Sequence, residues 1–135
     1  MNEGWFHVQY VILFDEQEQI SFTEQYSLAE FLPGYRIGGL WGWDNFMLLD
    51  HDGNRFLAPT IPLIPKYIET FAEVIDSSKF ELDVKRKGRI KWYVKPIVFS
   101  GSPTDDDNMV WITLSDHIDL VKFWNRLYRN ITQGP

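Results

Sequence analysis

The sequence contains no cysteine, which excludes disulfides, thiolate metal sites and a cysteine nucleophile and suits a reducing compartment. It also lacks a basic leader ahead of an apolar run at its start, MNEGWFHVQY, and no apolar stretch approaches the roughly 18 residues that cross a bilayer. The expectation is a cytoplasmic protein with no membrane association. Its three histidines, His7, His51 and His117, stand apart; without an H-x-x-x-H or H-E-x-x-H pair, a metal hydrolase lacks its ligands. A G-x-S-x-G elbow is missing as well. These motifs nominate no catalytic residue, no metal site and no cofactor.

What is present is aromatic. Six Trp, six Tyr and ten Phe bring the aromatic share to 16% of 135 residues, enough to rule out a disordered chain and to leave some rings at the surface. The length suits a single domain, 1–135. The net charge of −6 is unevenly spread: residues 1–84 carry 4 bases against 14 acids, residues 85–95 carry 6 bases and no acid, and residues 96–135 carry 3 bases and 5 acids. An acidic body argues against nucleic acid as the partner, because phosphate contacts call for a basic face. The exception is Lys85, Arg86, Lys87, Arg89 and Lys91, followed by Trp92 and Tyr93. Its simplest role is to pair with acidic surface and to discourage sheet-to-sheet aggregation.

Periodicity predicts an α+β fold. Residues 5–14 read as an interior strand, and Ile20, Phe22 and Tyr26 as its hairpin partner across an acidic turn. Ser27 and Glu30 have capping-box spacing for one helical turn that buries Leu28, Phe31 and Leu32. Strands follow at Tyr35 and Ile37, at 41–49 and at 55–57, the last two joined across His51-Asp52-Gly53-Asn54. An amphipathic helix is expected over about 64–76, with Pro65 in its first turn. A second hairpin pairs 80–84 with 90–99, and 109–114 forms a further strand. The last helix, about 116–130, has Ser115 as N-cap and buries Leu120, Val121, Trp124, Leu127, Tyr128 and Ile131. The expected fold is therefore a mostly antiparallel sheet of about six or seven strands with two substantial helices.

The stretch 34–60, GYRIGGLWGWDNFMLLDHDGNRFLAPT, is the architectural centre. Trp41 and Trp43 lie two apart and would share one face of a strand, with Asp44 turned the other way. That shared face is either core or an exposed aromatic anchor for a partner. Asp50, Asp52 and Asn54 alternate as calcium ligands do, but the closing Glu of such a loop is missing, which favours a plain turn. Asp105, Asp106 and Asp107 form an accessible acidic loop that could steer a basic partner.

The positions Pro33, Gly34, Tyr35, Ile37, Gly38, Gly39, Phe46, Leu49, Asp50, Gly53 and Asn54 resemble the core of the SMI1/KNR4 (SUKH) superfamily. There, a Pro-Gly-Tyr entry, a glycine-rich strand, an apolar strand ending in Asp and a D-G turn follow in that order. The resemblance implies a bacterial immunity protein that neutralises a toxin, often a nuclease. The leading expectation is thus a toxin-inhibitor type of interaction protein that occludes a partner's active site through Trp41, Trp43, Asp44, Asp105, Asp106 and Asp107. The alternative is a small ligand-binding module or enzyme with a pocket beside residues 38–44.

Overall fold

In the computed structural model, which describes residues 1–133, the run 5–14 is broken rather than continuous. His7 adopts φ 56°, and a two-residue loop folds β1 (Asn2–Phe6) against β2 (Gln9–Leu13) with Phe6 opposite Gln9. The alternation on each side of the turn remains that of a strand, so composition alone does not reveal the break. The predicted hairpin partner at 20–26 is instead α1 (Glu16–Gln25). Its capping box is made by Asp15, not Ser27: the Asp15 carboxylate accepts from the Glu18 amide at 2.8 Å, and Glu18 accepts from the Asp15 amide at 2.9 Å. Ser27 sits at φ 55° and makes no side-chain cap for α2 (Leu28–Phe31). The expected burial of Leu28, Phe31 and Leu32 is nonetheless found.

The central stretch forms β3 (Arg36–Trp41), β4 (Asn45–Leu49) and β5 (Arg55–Pro59). The Asp50-to-Asn54 hairpin is present, and its hub is the Asp50 carboxylate, which accepts from the amides of Asp52 and Asn54, both at 2.9 Å. No helix occupies 64–76. After a single turn at Pro65–Tyr67, Glu69–Thr70 forms β6 on the open edge of β5. The Phe71 amide donates to the Arg55 carbonyl at 3.0 Å. Phe71 and Ile75, predicted on a helical stripe, pack as extended chain against Met47, Trp41 and Phe6. Covering that sheet face and satisfying an edge strand outweigh the local helical period.

Residues 80–84 do not pair with 90–99 either. Glu81 bridges to Trp5 on the outer edge of β1 through reciprocal amide-carbonyl bonds of 2.8 and 3.0 Å. Ile90–Tyr93 (β7) pairs with Met109–Ile112 (β8), the strand expected at 109–114. The result is an antiparallel six-stranded sheet in the order β1-β2-β3-β4-β5-β6 beside a two-stranded β7-β8 sheet. With α3 (Leu114–Gln133) as the second long helix, the fold is α+β. Among the described residues no helix is long and apolar enough to cross a membrane.

The cap of α3 is Thr113 rather than Ser115: its hydroxyl accepts from the Asp116 amide at 3.2 Å, and its carbonyl accepts from the His117 amide at 3.0 Å. Its inward face carries His117, Ile118, Val121 and Asn125, while Ile131 is 62% exposed. The predicted stripe missed the two polar members because period searches count only apolar side chains. Asn125 joins α3 to the chain leaving β5. Its amide nitrogen donates to the carbonyls of Thr60 (2.8 Å) and Val121 (2.9 Å), and its oxygen accepts from the Leu63 amide (2.7 Å).

Two substitutions test this architecture by denaturant unfolding. Asn125→Ala strands the buried Thr60 carbonyl and Leu63 amide and is expected to destabilise by about 3 kcal/mol, seen as a lower midpoint at unchanged slope. In Gly39→Ala the new methyl group meets the Ile12 carbonyl oxygen and, at 2.9 Å, the Met47 methyl. Because backbone cannot move aside as a side-chain end can, the loss is expected to be at least about 2 kcal/mol.

Candidate functional site

β3 and β4 are joined by only three residues, Gly42, Trp43 and Asp44. Gly42 takes φ 66°, a left-handed conformation that glycine adopts without the strain a Cβ would bring. Trp43 takes φ 62°, an outlying conformation for so bulky a residue, which persists only where surrounding contacts impose it. Those contacts are aromatic. The indole stacks on Tyr10 at 5.1 Å and 13°, and meets Trp5 and Trp111 edge-on at 5.5 and 5.1 Å.

This turn overturns the expectation that Trp41 and Trp43 share a face. Trp41 ends β3 and packs on the far side of the sheet with Phe6 and Phe71, while Trp43 joins the core on the α3 side. Asp44, expected to point away from the tryptophans, lines the same cleft as Trp43. Its backbone is held by both groups: the amide donates to the Gly42 carbonyl (2.8 Å) and the carbonyl accepts from the Thr60 amide (3.0 Å).

The cleft has a volume of about 180 Å³, with Trp43, Trp92 and Tyr93 supplying rings, Asp44 and Lys91 the charges, and residues 96–98 an apolar rim. The Lys91 ammonium lies 5.4 Å from the Tyr93 ring centroid. Asp44 is exposed as a whole residue, yet its carboxyl group sits among the cleft walls. Burial raises its pKa above the ordinary carboxylate range, with Lys91 opposing the shift. Among the described residues no side-chain hydrogen bond or ion pair reaches that carboxylate.

The acidic loop is tied to this cleft. Asp105, Asp106 and Asp107 are exposed on a single turn that ends at Asn108. Asn108 accepts from the Lys95 amide at 2.8 Å and donates to the Lys95 carbonyl at 3.0 Å, immediately before the rim at 96–98. Asn108 thus joins the acidic loop to the chain entering the cleft rim, while Trp41 lies on the opposite face of the sheet from Trp43.

The basic run behaves differently from its expected pairing with acidic surface. Arg86 covers the Trp111 ring at 4.2 Å, and Lys85, Lys87 and Arg89 are exposed and make no ion pair among the described residues. The turn itself is pinned by acids, the Gly88 amide donating to Glu3 and the Trp5 indole to Asp83. At Asp50, hydrogen bonds led by the Asn54 side chain hold the carboxyl pKa below its ordinary range. That carboxylate is engaged by its own turn, and no group of three His, Asp or Glu side chains gathers around a common point among the described residues.

Thr60, Ile61, Lys91, Trp92, Tyr93 and the 96–98 rim were absent from the residues nominated for binding. The consecutive Lys91, Trp92 and Tyr93 are the available signal, but in the sequence they adjoin a basic run whose simplest role is to pair with acidic surface. Their neighbours in space are Trp43 and Asp44. Comparison of the chain with protein-family models, curated proteins and solved structures gives no match.

Beneath the cleft, the Trp92 ring meets His117 edge-on at 5.2 Å. His117 is fully buried; its Nδ1 shares a 2.6 Å hydrogen bond with the Tyr26 hydroxyl, and its Nε2 has no partner among the described residues. Burial lowers its pKa from 6.5 to about 3, so the ring is neutral in the folded protein. The unfolded chain then binds the extra proton between those values, and stability falls as pH falls through that window. Above about 6.5 the contribution is fully present. The slope assigned to this one residue is about 1.4 kcal/mol per pH unit. Urea titrations of the wild type and His117→Gln across pH 4 to 7 are expected to show this component in the wild type alone; parallel profiles would refute it.

Proposed function

We propose that this chain is a protein-interaction protein of immunity or toxin-inhibitor type, which occludes a partner's active site with the face formed by Trp43, Asp44 and the Asp105, Asp106 and Asp107 loop. The observation that carries this reading is the size and setting of the cleft. At about 180 Å³ it falls below the range of about 300–1,000 Å³ that encloses small-molecule ligands. It suits a single anchoring side chain, and it lies beside an exposed acidic loop. Interfaces concentrate their affinity in a few such anchors surrounded by near-neutral contacts. The resemblance of residues 33–54 to the SMI1/KNR4 (SUKH) superfamily supports the same role, with a basic, nuclease-type toxin as the partner and the cytoplasm as the place of action.

A small ligand-binding module is the second reading. It is favoured by the concavity beside Trp43, in which a carboxylate and an ammonium converge with aromatic walls. The small volume of the cleft weighs against it.

The test is to capture a partner on the tagged chain, identify it by mass spectrometry and assay its activity with the chain added. Inhibition at one-to-one stoichiometry is expected; a captured partner that stays fully active overturns the occlusion mechanism. Replacing Asp105, Asp106 and Asp107 together by Asn is expected to slow association about tenfold at low salt and flatten its salt dependence. The melting temperature should hardly move. An association rate indifferent to the change would remove the steering role of the loop.

A further inference from the structure

We propose that the cleft between Trp43 and β7 is a receptor for one arginine side chain of the partner, with Asp44 accepting the guanidinium and the rings of Trp43, Trp92 and Tyr93 covering its faces. This specifies the occupant of the site in the reading above and rests on it. Four observations converge. The Asp44 backbone is held at the cleft by bonds to Gly42 and Thr60, while its carboxylate has no side-chain partner of its own among the described residues. A carboxylate so placed is stabilised by an arriving cation. Trp43, Trp92 and Tyr93 are among the residues that line the cleft, and a planar, weakly hydrated guanidinium stacks on rings and donates paired hydrogen bonds to a carboxylate better than an ammonium does. The available volume, about 180 Å³, accommodates one side chain. Asp105, Asp106 and Asp107 extend the same sign of charge to the approach.

Lys91 makes the proposal specific. Its ammonium folds over Tyr93 and lies close enough to Asp44 to oppose the rise in that residue's pKa, but the two form no ion pair. For an incoming arginine, Lys91 is a competing like charge, and its removal strengthens binding. For a zwitterionic metabolite, Lys91 would be the carboxylate's partner, and its removal would weaken binding. The two occupants therefore predict opposite signs for one substitution.

The experiment uses the full chain and blocked single residues: N-acetyl-arginine methylamide, its lysine counterpart, and the neutral citrulline counterpart. Each is titrated while the indole N–H signals of Trp43 and Trp92 are followed by NMR. Saturable shifts are expected with the arginine compound at millimolar concentrations, weaker with lysine and absent with citrulline. Asp44→Asn should weaken binding by about tenfold or more and Lys91→Met strengthen it about threefold. Because citrulline against arginine is compared on the wild type, the result does not depend on either variant folding. No saturable shift with arginine, equal shifts with citrulline, or indifference to a folded Asp44→Asn protein overturns the proposal. So does weaker arginine binding in Lys91→Met. If a partner is captured and inhibited while the arginine compound does not bind, this inference falls and the inhibitor reading stands. If arginine binds as described but inhibition is never found, the cleft chemistry stands and the inhibitor reading falls.

Discussion

The Trp43 ring, stacked on Tyr10 and wedged between Trp5 and Trp111, is the contact on which the cleft side of the molecule depends. Tyr10 and Trp5 belong to the first hairpin and Trp111 to the small sheet, so one side chain from the β3-β4 turn joins three parts of the chain. Aromatic pairs of this geometry contribute about 0.5–1.5 kcal/mol each beyond the area they bury. That gain opposes the cost of about 1–3 kcal/mol for a bulky residue at positive φ. The turn is stable because these contacts are made together.

Two consequences follow from that seat. The turn divides Trp41 from Trp43, so each face of the large sheet receives its own indole and its own cover: α3 on one side, the 71–80 segment on the other. The turn also carries Asp44 to the cleft, opposite Lys91 and Trp92 of a strand about 50 residues further along. Polar side chains on α3 complete the arrangement from below. Asn125 holds the chain at Thr60 and Leu63, and His117 supports Trp92. Stability and site thus share residues, and changes beneath the cleft will be felt within it.

Local rules succeeded where the deciding partner was close in sequence. The Asp50-to-Asn54 hairpin closes on its own carboxylate, and the last helix carries an apolar stripe long enough to outweigh any strand alternative. They failed at Ile68, Phe71 and Ile75, whose helical spacing is real but whose chain instead pairs residues 69–71 with the open edge of β5 and lays Phe71 and Ile75 on the sheet face. They failed again at Ser27, where a capping-box pattern matched but the residue takes φ 55° at the N-terminus of α2 and its side chain makes no cap bond. The split of 5–14 at His7 had no glycine or proline to announce it.

For the site, the sequence alone determined the residue types: a glycine that lets the chain turn beside a tryptophan, an adjacent aspartate, an acidic loop, and a Lys-Trp-Tyr run elsewhere. It also determined that the fold is α+β, because the alternating and helical periods are local properties. Which of those groups meet was decided only by the tertiary structure. Inside the three-residue turn the strand alternation lapses, so Trp43 leaves the face that Trp41 and Met47 share, and the partners of Trp43 and Asp44 arrive from distant strands whose pairing is chosen by competition for edges and core.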